Sequence, residues 1–124
     1  MRALLLALIA AALAGCASTP AGIASGDPVQ TIRITGAPQA VADCIVGEAA
    51  ARGLTGHMAS IRAMRTADAH LVVLSGCTLL GCGLNEVPGA ALRIADGELG
   101  AYRIPVEDWP DGMAAVVEAC AAAE

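Results

Sequence analysis

The chain contains no phenylalanine and no lysine, and Tyr102 and Trp109 are its only aromatic residues. That leaves almost nothing to stack on bases or sugars, and 12 acidic residues outnumber 7 cationic ones. Both facts argue against nucleic acid, which needs a broad basic footprint. The core must be built from Ala, Val, Ile, Leu and Met, small side chains that each bury little area. Catalytic patterns are missing as well. There is no Gly-x-Ser-x-Gly turn and no Cys-x-x-Cys, and the carboxylates are scattered singly in turns and at helix ends. No catalytic residues, no cofactor and no enzymatic activity are therefore expected. Long apolar runs are absent except for one, Ala3–Ala14, which is too short to span a bilayer.

Met1 and Arg2 give that run a positive start, and Leu13-Ala14-Gly15-Cys16 closes it. The pattern resembles the signal peptide and lipobox of bacterial lipoproteins. The resemblance implies removal of residues 1–15, a diacylglyceryl thioether on Cys16 and an acylated new N-terminus. Such a protein carries palmitate-type chains, and three of them form a stable anchor where a single chain is marginal. It implies a bacterial cell-envelope address. Ala17, rather than Asp, after the cysteine favours the periplasmic face of the outer membrane. Residues 16–28 are small, polar and rich in Gly and Pro, as expected of a lipidated flexible tether, and 17–28 would reach roughly 40 Å when extended. Residues 29–124 suit one small domain. Past Arg2, six arginines stand against the 12 acidic residues, a side-chain charge of about −6.

Within the domain, Val29–Thr35 has strand alternation, with Ile32 and Ile34 inward and Arg33 outward. Pro38 suits a first helical turn. Val41, Cys44, Ile45 and Ala49 form the apolar stripe of a helix over 38–52, stopped by Gly53. Met58–Arg65 and His70–Ser75 predict strands around a turn at Thr66-Ala67-Asp68. Ala90–Ala95 and Leu99–Ile104 predict a hairpin around Asp96-Gly97. A last helix opens at Pro110 and Asp111, with Asp111 as N-cap and Met113, Val116, Val117 and Cys120 as its stripe. The order βαββββα predicts an α+β fold, with two helices packed on one face of a mainly antiparallel four- or five-stranded sheet.

Four cysteines besides Cys16 in a small exported chain point to two disulfides, with three possible connectivities. Cys44 and Cys120 lie on the inward stripes of neighbouring helices, whereas Cys77 and Cys82 flank a short loop. The expected pairs are therefore 44–120 and 77–82. The alternative is a soft-metal or thiol-redox module in which Cys77 and Cys82 join His57, Met58, Met64 and His70. Disulfides suit an exported chain better, and no metal site is expected.

The start Gly-Ala-Pro-Gln-Ala-Val-Ala-Asp-Cys (36–44), the following hairpin and a terminal helix ending in a cysteine resemble small uncharacterised proteobacterial lipoproteins. That likeness brings no activity and no functional residues. The outline also resembles lipopolysaccharide-assembly lipoproteins, in which two helices cover a sheet. Two surfaces are candidates for partner binding. Arg33, Arg93 and Arg103, each between apolar neighbours, would line the sheet face away from the helices, with Arg62 beside them. A 76–89 loop would present Leu79 and Leu80. The expected role is a non-catalytic, lipid-anchored envelope accessory protein that meets an envelope protein or anionic lipid through one of these surfaces.

Overall fold

The computed structural model describes residues 19–54, 59–78, 81–110 and 112–124, with the side chains at 77, 78 and 81–86 outside that description. A helical turn α1 (Pro20–Ile23) leads to β1 (Gln30–Arg33), α2 (Pro38–Ala51), β2 (Ala59–Arg65), β3 (His70–Thr78), β4 (Gly81–Ala95) and β5 (Glu98–Tyr102). A 3-10 turn (Val106–Asp108) and α3 (Met113–Cys120) follow. The fold is α+β. The strands form one antiparallel sheet in the order β1-β5-β4-β3-β2, so β4 is central and β2 and β1 are edges.

The sheet has two differently covered faces. On one, Val72, Ala90, Leu92, Ile94, Leu99 and Ala101 pack with Val41, Ile45 and Ala49 of α2 and with Met113, Val116 and Val117 of α3. Trp109 joins this layer, its Nε1–H donating to the Ile104 carbonyl at 3.0 Å. Cys44 and Cys120 are disulfide-bonded across the two helices, with Cα atoms 5.6 Å apart. The other face is covered by the chain before β1. Ile23 and Ala24 pack there on Leu71, Val73, Ala91 and Tyr102.

Several local signals act as expected. Pro38 occupies the start of α2, and Gly53 follows its end with φ +70°. Gly97 turns the β4–β5 hairpin. Gly36 stops β1 for a further reason. The Thr35 and Gly36 amides donate to the Ala121 carbonyl at 3.0 and 2.9 Å, and a Cβ at Gly36 would overlap the backbone of Ala123. The C-terminus is thereby latched to the β1–α2 connection. The N-cap of the last helix moves by one residue: Gly112, at φ +98°, caps α3, and Asp111, expected as the cap, lies outside the described residues.

Two expectations are corrected. Residues 20–28 are not a free tether. Thr19 accepts from the Gly22 amide through Oγ1 at 3.0 Å and Pro20 sits at the first helical position, so a capped turn forms and sets Ile23 on the sheet, 3% exposed. Of the 76–89 segment expected as a loop, residues 76–78 and 81–89 lie in β3 and β4, which pair from His70↔Ile94 to Cys77↔Glu86 and, after a second register shift, at Thr78↔Gly81. Leu74 pairs with Ala90 and Ser75 with Pro88, which leaves Gly89 as the extra residue of a bulge. The bulge accommodates a Pro-Gly pair that would otherwise end a strand.

The disulfide joins residues 76 apart in sequence. Closing so long a loop in the unfolded chain corresponds to roughly 4 kcal/mol in the chain-entropy account. Replacing both Cys44 and Cys120 with Ala is expected to lower the unfolding free energy by about that amount, read from urea denaturation. A loss under about 1 kcal/mol would contradict a structural role for this bond.

Candidate functional site

The sheet face under residues 20–28 is set by register. Arg62 opposes Val73 and Met64 opposes Leu71 in β2–β3, Leu71 opposes Arg93 in β3–β4, and Ala91 opposes Tyr102 in β4–β5. Ile32 of β1 and Ile34 just past its end pack with the helix-side core, so Arg33 alternates onto this same face, opposite Glu98. Arg33, Arg62 and Arg93 therefore share one face, with Met64 among them. The segment crosses this face obliquely. Pro20 stands over the β2–β3 side, Ile23 and Ala24 over the centre and Pro28 over Gly100 of β5. The Val29 amide then donates to the Ala101 carbonyl at 2.8 Å and starts β1.

Arg103 does not belong to this group. Alternation runs from Leu99 and Ala101, which face the helices, so Tyr102 falls on the opposite face instead of pointing inward as expected. The chain then leaves the strand with Arg103 at φ +68°, exposed beyond the end of β5.

Arg93 is tied down. Its Nη2 lies 2.9 Å from Asp68 Oδ2, and Thr66 Oγ1 donates to Asp68 Oδ1 at 3.2 Å. The hydrogen bond from Arg93, aided by that from Thr66 and by the Arg93 charge, holds the Asp68 carboxyl below the usual carboxylate range. Thr66 also closes the β2–β3 turn, its amide donating to the Ala69 carbonyl at 2.9 Å and its Oγ1 accepting from the Ala69 amide at 3.2 Å.

A groove of about 300 Å³ lies where α1 begins, lined by Pro20, Arg62, Met64, Val73, Ser75 and Pro88. Val73 gives it a buried apolar floor, and Met64 stands 45% exposed on its wall. A wider open depression of about 570 Å³ lies between the start of α2 and the β2–β3 turn, with Arg65, His70 and Asp96 on its walls.

The remaining candidate residues are placed as follows. Cys16, Leu79, Leu80, His57 and Met58 lie outside the described residues. Cys77 and Cys82 sit in the backbone of β3 and β4, but the 77–82 pairing concerns side chains outside the description. Met64 and His70 occupy opposite sheet faces, because Met64 opposes Leu71 while His70 opposes Ile94 of the helix-side core. Among the described residues, no group of three or more His, Cys, Asp or Glu is placed to hold a metal ion. The groove and the strap above it were missed from sequence. The available signal was Thr19-Pro20, a cap residue before a proline suited to the first helical position.

No protein-family model matches the chain, and no curated protein or solved structure matches it.

Two outcomes follow from this arrangement. Ile23→Asp should free residues 19–28 from the sheet and lower the unfolding free energy by about 2–3 kcal/mol, with new protease cleavage confined to that segment. Unchanged cleavage and stability would contradict a docked strap. The Asp68–Arg93 pair makes a pH-dependent contribution of definite sign. Because the folded-state pKa of Asp68 is depressed, the contribution is present in full above the ordinary carboxylate pKa and is lost as pH falls through the depressed value. Melting temperature followed into the acid range should fall less steeply for Asp68→Asn than for the parent, and high salt should narrow the gap.

Proposed function

We propose that the protein is a non-catalytic, lipid-anchored accessory protein of the bacterial cell envelope. Acyl chains on Cys16 would hold it at the membrane, and the sheet face bearing Arg33, Arg62 and Arg93 would be its working surface. The observation that carries this reading is Leu13-Ala14-Gly15-Cys16 at the end of a short apolar run with a positive start. Close to Cys16 in sequence, Pro20–Ile23 form a capped turn that sets Ile23 on the sheet, so a lipid on Cys16 would hold the domain near the membrane. Among the described residues no helix is long and apolar enough to cross a membrane, so attachment there would rest on lipid. The planar guanidinium groups suit phosphate or carboxylate partners.

The experiment is expression of the full chain in a Gram-negative host, followed by membrane fractionation and intact mass. The parent should fractionate with membranes and carry a diacylglyceryl group and an amide-linked acyl chain on Cys16. Cys16→Ala should move to the soluble periplasmic fraction. A parent without lipid at Cys16, or a Cys16→Ala variant that stays with the membrane, would overturn the proposal.

A further inference from the structure

The groove at the start of α1 lies close to the proposed anchor. Resting on the lipid-anchor reading, we infer that the groove lined by Pro20, Arg62, Met64, Val73, Ser75 and Pro88 contacts phospholipids of the bilayer that holds the protein, so that the strap-covered sheet face lies flat on the membrane.

The first ground is covalent reach. If residues 16–28 were all tether, the domain would range over tens of ångströms. The chain is instead held at the sheet from early on: Thr19 Oγ1 caps α1, and Pro20 already forms a wall of the groove. Cys16 is three residues before Thr19. Three residues span at most roughly 10 Å between Cα atoms, whatever their conformation. The polar layer on each side of a bilayer is about 5–8 Å thick. The mouth of the groove is therefore within reach of the headgroups whenever Cys16 carries its lipid.

The second ground is chemistry. The groove has an apolar floor at Val73, apolar walls at Pro20, Pro88 and Met64, and the Arg62 side chain at its edge. That sequence from apolar to cationic matches the boundary between acyl chain and phosphate. An arginine can fork a phosphate while its stem stays in the apolar zone. The third ground is the charge distribution. Asp43 and Glu48 of α2 and Glu118 of α3 lie on the helix layer, which covers the opposite sheet face. The strap side balances Arg33, Arg62 and Arg93 against Asp27, Asp68 and Glu98, whereas the helix layer sets Asp43, Glu48 and Glu118 against Arg52 alone, so the strap face meets an anionic surface with less repulsion.

Tryptophan quenching by brominated lipid tests the inference. The lipidated full chain is reconstituted into phosphatidylethanolamine–phosphatidylglycerol vesicles, with or without bromine on the upper acyl carbons. Met64→Trp places a reporter at the groove on a half-exposed position. Ala50→Trp places one on the exposed side of α2. At interfacial depth the emission added by Met64→Trp, taken as the difference from the parent, should fall at least about twofold in brominated vesicles. Ala50→Trp should not change beyond the parent, whose Trp109 is buried in the helix-side core. Inserting about ten Gly/Ser residues between Ala17 and Ser18 should abolish the difference by lengthening the tether while leaving the strap intact. Vesicle-bound, lipidated protein with no quenching at position 64, or with equal quenching at position 50, would overturn the inference and leave the anchor standing. Absence of lipid on Cys16 by mass would overturn the anchor and the inference together.

Discussion

The structure depends on burying a sheet of small aliphatic side chains on both faces. β4 shows the constraint. Ala90, Leu92 and Ile94 are fully buried toward the helices, and Ala91 between them is fully buried toward the strap. Burial gives about 25 cal/mol per Å² of apolar surface, so alanine and valine contribute little each and the number of covered positions matters. One helix layer cannot reach Leu71, Val73, Ala91 and Tyr102. The turn at residues 20–23 covers them with a single large side chain, Ile23. On the helix side, the Cys44–Cys120 bond joins the two covering elements, and the C-terminal carbonyls bind the β1–α2 connection.

Much of this was legible in the sequence where one strong local signal coincided with a periodic stripe. Pro38, the stripe Val41-Ile45-Ala49 and Gly53 delimited α2, and Asp96-Gly97 marked the β4–β5 turn. The Cys44–Cys120 pairing followed from placing both residues on inward helix stripes. The errors arose where tertiary contact overrides composition. Residues 20–28 are mostly small, and nothing local distinguishes an Ile in a tether from an Ile docked on a sheet. The continued pairing of β3 with β4 at Ser75, Gly76 and Cys77 was hidden because Pro88 and Gly89 are absorbed by a bulge, which only the partner strand defines. Arg103 was misplaced because the parity of β5 is set by Leu99 and Ala101 and not by the aromatic residue at its end.

The candidate site was half legible. Alternation alone placed Arg33 and Arg93 on the face away from the helices. The groove beside Arg62 and Met64 needed the strap, since Pro20 forms one of its walls. On the proposed lipid-anchor reading, the segment that completes the second core cluster would also lead from Cys16, so covering the sheet would shorten the tether and restrict which face meets the membrane.

The most direct measurement is residue-resolved amide hydrogen exchange at neutral pH, with attention to Ile23, Ala24 and Val29. Their amides donate to Thr19, Pro20 and Ala101 carbonyls at 2.9, 3.1 and 2.8 Å. A strap that belongs to the fold predicts exchange at all three slowed well below the unprotected rate, with Val29 following β5. Exchange of Ile23 and Ala24 at the rate of an unstructured chain, with the sheet still protected, would contradict the account and return residues 20–28 to a free tether.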